Sequence, residues 1–133
     1  NKKIMSDKFT VEIISPDQSV LKEETIEVTI PGFEGEMGVL KNHIPFITFL
    51  RPGMINIQNE NKEKIFFIEE GTVEFSNNNL LILSSSVISS ENFNKDFFEK
   101  EISDSEKKIN QEEISDKEKY LLTHKIETLK SIN

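Results

Sequence analysis

The stretch GFEGEMGVLKNHIPFITFLRPGMINI, residues 32–57, opens with Gly32, Gly35 and Gly38 spaced three apart and passes through His43-Ile44-Pro45. It ends in two apolar runs, Phe46–Leu50 and 54–58, separated by Pro52-Gly53. Glycine reaches backbone conformations closed to other residues and proline presets φ. The glycine-rich opening therefore predicts a tightly folded loop, and Pro52-Gly53 a turn between two strands. Working outward, Phe9, Val11 and Ile13 alternate with Thr10 and Glu12, and Ile26, Val28 and Ile30 alternate with Glu27 and Thr29. A period of two gives each run one buried and one wet face. Further runs at 64–68, 72–75 and 80–84 are separated by turn residues at 59–62, 69–71 and 77–79. Short β-branched and aromatic runs at this spacing predict an all-β sandwich or barrel. Phe66-Phe67 and the 80–83 run read as core strands within it.

All 5 Gly and all 4 Pro lie at or before Gly71, and past Asn92 the apolar period lengthens to that of a helix. Phe98, Ile102 and Ile109 share one stripe, with Phe93 and Phe97 expected nearly opposite. Ser115-Asp116-Lys117-Glu118 has capping-box spacing at a second helix start, and Leu121, Leu122, Ile126, Leu129 and Ile132 then line one side. Asp96 with Lys100, Asp104 with Lys108, and Glu113 with Lys117 set acid before base at i,i+4. The predicted organisation is a β-sandwich over residues 1–90 followed by an antiparallel two-helix hairpin over 91–133. The chain has no Ala, so helix propensity is middling and packing must supply the hairpin's stability.

The 133 residues suit one domain with an appendage. With 16 basic residues against 24 acidic, a net charge of −8 and Arg51 as the sole arginine, nucleic acid is not an expected partner. The absence of cysteine excludes disulfides, thiolate catalysis and Cys-ligated metal. No apolar run approaches the roughly 20 residues of a membrane span. Asn1-Lys2-Lys3-Ile4-Met5 lacks the long apolar centre of a signal peptide, so a non-secreted location is expected.

Catalytic motifs are missing: there is no phosphate loop, dinucleotide fingerprint, nucleophile elbow or HExxH. Glu34 and Glu36 with His43 supply acid, base and ligand chemistry, but no orienting partner or pocket is visible beside them. His124 reads as an exposed polar residue of the second helix. Composition and spacing reach an acidic β module with a helical hairpin, better suited to binding than to catalysis.

The stretch at 32–57, with GEMG, a His-x-Pro turn and a Pro-Gly-Met hairpin in that order, resembles the epsilon subunit of F-type ATP synthases, called delta in mitochondria. The resemblance extends to FTVEIISPDQSVL and to Gly71 between two strands. It implies an antiparallel sandwich of about ten strands followed by two helices, and a non-catalytic rotor part of the central stalk. Implied partners are the gamma subunit, the polar loops of the c-ring and, through the hairpin, the alpha and beta catalytic subunits. No cofactor or metal is implied. By carry-over, Glu36, Met37, Gly38, His43 and Pro45 would face gamma or the c-ring, while Phe98, Ile102, Ile109, Leu121, Leu122, Ile126 and Leu129 would pack the hairpin. The implied location is peripheral, on the cytoplasmic face of the bacterial inner membrane or the matrix side in an organelle.

The chain departs from the family at the first helix. The motif hydrophobe-Asp-x-x-Arg-Ala, linked to ATP binding in certain members, reads Phe93-Asn94-Lys95-Asp96-Phe97-Phe98 here. Asn94 and Phe97 replace both charged positions, and Phe97 offers no guanidinium to a phosphate. From Phe93 onward the chain carries 8 Lys, 10 acidic residues and no Arg. A hairpin that docks and stabilises, with weak inhibition, is therefore expected. The competing readings are a free-standing sandwich that binds a ligand or nucleotide, and a small hydrolase built on Glu34, Glu36 and His43.

Overall fold

The computed structural model describes residues 7–132, so the reading of Asn1–Met5 lies outside the described residues. Ten strands form one sheet in the order β10-β7-β6-β3-β5-β8-β9-β1-β2, with β4 on the other edge of β3. They are β1 (Phe9–Ser15), β2 (Gln18–Thr25), β3 (Glu27–Gly32), β4 (Gly35–Leu40), β5 (Phe46–Leu50), β6 (Gly53–Asn59), β7 (Lys62–Ile68), β8 (Gly71–Ser76), β9 (Asn79–Ser84) and β10 (Val87–Ser89). The sheet folds into two layers at one joint, where Gly32 of β3 pairs with Leu50 of β5. Near the far margin, Thr25 Oγ1 donates to the Gln58 carbonyl at 2.7 Å and Asn59 Nδ2 to the Glu24 carbonyl at 3.0 Å, so the sandwich nearly closes. Every pairing is antiparallel except β1 with β9, which run parallel from Thr10↔Asn79 to Ile14↔Leu83. No short loop joins those two strands, and only strands joined by a short hairpin are forced to be antiparallel.

Alternation places Phe9, Val11, Ile13, Val28, Ile30, Ile55, Ile57, Val73, Phe75, Leu80 and Ile82 inside the sandwich, all buried. Ile26 is the exception among the alternating residues of the two runs at 9–13 and 26–30, and Leu83 at the end of the 80–83 run is exposed. Ile26 falls in the break between β2 and β3 and is half-buried, while the hydrogen-bonded Thr25 takes the buried position. The glycine-rich stretch is a strand hairpin rather than an irregular loop. β3 runs to Gly32, turns through Phe33-Glu34, and returns as β4. Gly35 has φ 150, a conformation that L side chains rarely adopt and glycine accepts freely.

Phe66, Phe67 and Ile68 are buried in succession. Neighbouring strand residues face opposite sides, so β7 must be covered on both faces. Phe66 and Ile68 enter the sandwich, whereas Phe67 points outward into a second cluster with Phe98 and Leu129. That cluster is where the helices dock. After a 3₁₀ turn at Ser90–Asn92 come α1 (Lys95–Ile109) and α2 (Asp116–Ile132). Met54, Ile88, Phe93, Phe97, Ile102 and Ile132 pack around the cluster.

Both helix starts are capped. Asn94 is the N-cap of α1, its Oδ1 accepting from the Phe97 amide at 3.1 Å. Ser115 Oγ accepts from the Glu118 amide at 3.1 Å, as the capping-box spacing predicts, while the Glu118 carboxylate accepts from the Ser115 hydroxyl at 3.1 Å instead of from a backbone N–H. Phe93 and Phe97 do not form a stripe opposite Phe98. Phe93 precedes the N-cap, outside the helical period, and its ring folds back onto Phe98 at 5.0 Å between centroids in a hydrophobic staple. Phe97 meets the Phe98 ring at 5.7 Å.

The three expected i,i+4 pairs form no ion pair among the described residues. Within α1 the i,i+4 contact is Lys95 with Glu99 at 3.9 Å, base before acid, while two lysines of α2 reach other elements: Lys130 pairs with Glu106 at 3.2 Å, and Lys125 with both Glu101 and Glu69. Glu113 precedes the Ser115 cap and so lies off the helix that carries Lys117.

Candidate functional site

The residues carried over as interface candidates divide by strand geometry. On β4, Glu36 and Gly38 are exposed, whereas Met37 and Val39 face inward and Met37 packs against the core. Met37 therefore supports the surface from below. His43 and Pro45 lie beyond the other end of β4. A six-residue strand spans about 20 Å, so Glu34 and Glu36 do not converge with His43, and the hydrolase reading has no assembled site. The His43 ring meets Phe46 at 5.1 Å and Phe75 at 6.0 Å, with Nδ1 2.8 Å from the Ile44 carbonyl oxygen. His43 thus braces the loop that holds Ile44 73% exposed and Pro45 outward.

Apolar exposure concentrates beside this loop. Among the described residues, the exposed large hydrophobics are Leu40, Ile44, Ile47, Phe49 and Leu83, the first four within ten residues of sequence. Phe49 pairs with Thr72 and Thr72 with Leu83, so Phe49 and Leu83 share one row across β5, β8 and β9. Ile47 and Phe49 are 75% and 68% exposed, on the layer opposite the Phe67 cluster, where Lys117 and Leu121 of α2 border Phe49 without burying it. Sequence reading marked β5 as a strand and missed this face. The available signal was its apolarity on both sides, Phe46 and Leu50 inward and Ile47 and Phe49 outward, which a one-sided strand would not show.

The seam between sandwich and hairpin carries two polar clusters. Arg51 Nη1 donates to Tyr120 Oη at 3.0 Å and lies 3.3 Å from His124 Nε2; Tyr120 in turn donates to the Phe33 carbonyl. The Tyr120 ring packs on Phe33 at 4.9 Å and on His124 at 4.5 Å. His124 is half-buried rather than exposed, because α2 lays it against the turn that bears Arg51. Burial, with the Arg51 guanidinium adding to it, pushes its imidazole below the usual 6.5, against a smaller opposing pull from Glu127. In the second cluster, the Lys125 side chain is only 12% exposed. Burial pulls its ammonium down, yet hydrogen bonds to Glu69 and Glu101 outweigh that and raise it above its usual 10.5.

Of the expected hairpin-packing residues, Phe98 and Leu129 are buried and Ile102 packs on their cluster. Ile109, Leu121, Leu122 and Ile126 are half-buried outside it. Leu121, Leu122 and Lys125 line a cleft of about 370 Å³ with Glu69, Glu70, Glu118 and Lys108. Three carboxylates face two lysines there, one of them already held by Glu69 and Glu101, an environment that disfavours a polyphosphate. Asn94 and Phe97 are engaged in capping and packing α1. No group of three or more His, Asp or Glu residues able to hold a metal occurs among the described residues.

The family model for the ATP synthase, Delta/Epsilon chain, beta-sandwich domain matches residues 8–90. The ATP synthase epsilon chain of Pelagibacter ubique (strain HTCC1062) is 43% identical over 130 residues, 97% of this chain and 100% of that relative. The epsilon chain of Maricaulis maris (strain MCS10) is 31% identical over 105 residues, 79% of each. Among solved structures, a chain of the Euglena gracilis mitochondrial ATP synthase OSCP/F1/c-ring assembly has the same fold, with TM-score 0.79 at 22% identity, covering 94% of this chain and 81% of that one. A chain of the Tetrahymena thermophila mitochondrial central stalk and c-ring follows at TM-score 0.62 and 14% identity, covering 92% and 94%. With a sandwich, a docked hairpin and a near full-length relative in agreement, the chain belongs to the ATP synthase delta/epsilon family.

Proposed function

We propose that the chain is a non-catalytic rotor subunit of the central stalk in a proton-translocating ATP synthase. In this reading it binds gamma and rests on the c-ring, so that rotation reaches the catalytic sites. The observation that carries the reading is the division of outer faces: the hairpin covers Met54, Phe67 and Ile88 on one layer, while Ile47, Phe49 and Leu83 stay exposed on the other, with α2 reaching only the margin of Phe49. An apolar patch kept in water marks a protein contact. Gamma takes this face together with the His43-Ile44-Pro45 loop, and the exposed Glu36 and Gly38 of β4 meet the c-ring or gamma. A closely packed sandwich suits the task because it transmits strain.

Among the described residues no helix is long and apolar enough to cross a membrane. The net charge of −8 opposes attachment to anionic headgroups, so the subunit is held peripherally through its protein partners. The position is the cytoplasmic face of a bacterial inner membrane, or the matrix side in an organelle. The hairpin stays docked and stabilises the subunit, with weak inhibition. The test is reconstitution of the complex lacking this chain in vesicles, with ATP-driven proton pumping measured per ATP hydrolysed. Adding the chain back restores pumping under this reading, and unchanged pumping contradicts it. A large rise in hydrolysis when residues 92–133 are deleted contradicts the account of the hairpin.

A further inference from the structure

Glu74 stands among apolar residues on the exposed face of β5, β8 and β9. Ile47 and Leu81 are its direct cross-strand partners, each about 5 Å away. Phe49 and Leu83 belong to the next row of the same face, about 7 Å along the strands. Glu74 is exposed, and its side chain makes no hydrogen bond or ion pair among the described residues. Farther along its row, beyond Leu81, Glu12 of β1 has Lys22 of β2 directly across from it, so opposite charges are matched there and Glu74 is left over. Beside Glu74 opens a depression of about 360 Å³ lined by Pro45, Phe46, Ile47, Glu74, Phe75 and Ser76. Its polar side chains are the Glu74 carboxylate and the Ser76 hydroxyl; the other four are apolar.

We propose that this depression seats a single cationic side chain of the gamma subunit, an arginine or a lysine, and that Glu74 selects it. The inference rests on the reading that gamma covers this face. Ile47 and Leu81 flank Glu74 so closely that a partner cannot bury them without taking water from the carboxylate as well. A carboxylate desolvated among apolar groups is strongly destabilised unless a cation pairs with it. The partner that gains the apolar contacts must therefore bring that cation. The depression suits the side chain: an aliphatic stem lies against Pro45, Phe46 and Ile47, the charged head reaches Glu74, and the Ser76 hydroxyl offers a further acceptor. Selectivity follows from the same charge. An apolar surface of matching shape but without the cation leaves the carboxylate unpaired, and an acidic one is repelled. A second copy of the chain is a poorer occupant, because its own matching face offers Lys22 already set against Glu12.

The test is titration calorimetry of the full-length chain with purified gamma subunit from the same source, for the parent, Glu74→Gln and Glu112→Gln. Glu112 is an exposed acid between the two helices, and its replacement changes the net charge by the same amount. Glu74→Gln is expected to weaken binding at least about tenfold, while Glu112→Gln changes it less than about twofold. Glu74 is exposed in the free chain, so the urea midpoint of Glu74→Gln stays at the parent value and the loss falls on the interface. Carbodiimide, which joins a carboxylate to a touching amine, distinguishes the two cations. A link to gamma present in the parent and absent in Glu74→Gln assigns lysine; the same loss of affinity with no such link assigns arginine; either supports the seat. Parent-like affinity of Glu74→Gln overturns the inference and leaves gamma on this face. Equal weakening by Glu112→Gln reduces Glu74 to a share of the overall charge and likewise overturns it. A dimer of the chain alone that Glu74→Gln dissociates gives the seat to a second copy, against the proposal. Failure of the folded parent to bind gamma overturns the reading and the inference together.

Discussion

Asn42 and Asn78 exchange hydrogen bonds across the rim of the sandwich: the Asn42 amide donates to Asn78 Oδ1 at 2.7 Å, and Asn78 Nδ2 to Asn42 Oδ1 at 3.1 Å. Both residues have positive φ, 66 and 59. The pair fastens the loop bearing His43, Ile44 and Pro45 to the turn between β8 and β9. Asn78→Gly, which keeps the left-handed conformation available, loses about 1 kcal/mol of stability through the hydrogen bonds. Asn78→Ala adds about 1 kcal/mol for the disfavoured backbone. Urea unfolding measures both, and faster amide exchange at His43 and Ile44 reports the loosened loop.

Two glycines separate folding from binding. A Cβ on Gly71 would collide with the Leu83 carbonyl oxygen, whereas one on Gly38 would meet only Glu27 Oε2 at 3.5 Å, an ordinary contact. Gly71→Ala therefore lowers the urea midpoint, and Gly38→Ala leaves stability within about 0.5 kcal/mol. Under the proposed function Gly38→Ala weakens binding to the rotor partners, measured by pull-down with gamma and the c-ring.

Phe98 is 2% exposed at the centre of the seam cluster. Phe98→Ala costs about 3–5 kcal/mol, and the loss falls on the hairpin. Amide exchange should show α1 and α2 losing protection while β1, β3 and β9 keep theirs. Uniform loss across both would contradict the proposal that 1–90 and 91–133 are separate units.

Lys125 ties α2 to α1 and to the turn between β7 and β8. Lys125→Met removes hydrogen bonds to two carboxylates and costs about 2 kcal/mol. The ammonium is raised in the folded state, so its stabilisation is fully present below about pH 10.5 and is lost as pH climbs through the raised value. Urea midpoints should be flat in this respect from neutral pH to 10, and should converge for parent and variant only in stronger alkali.

The sequence legibly announced those elements whose period matched their environment. Strands β1, β3, β6, β8 and β9 read correctly because one face is wet, and the second helix start read correctly because Ser115 and Glu118 stand at capping-box spacing. β4 was hidden by its glycines, which mimic an irregular loop although they serve a strand hairpin. The docking face was hidden because Phe67 looks like one more core residue of β7, whereas its neighbours Phe66 and Ile68 are the ones that belong to that core. His124 was misjudged since its partner, Arg51, lies 73 residues away, a separation that no local pattern reveals. The bare face of β5 follows the same logic: outward apolar residues reveal a partner only after the hairpin has been placed on the other layer.

The account rests on a chain that binds gamma through the face of Ile47, Phe49 and Leu83. The decisive measurement is size-exclusion chromatography of the chain with purified gamma subunit from the same source, run beside Phe49→Glu, whose exposed position lets the sandwich tolerate the charge. The account predicts that the parent chain elutes with gamma and that Phe49→Glu, folded by circular dichroism, elutes alone. Separate elution of the folded parent chain and gamma would contradict it.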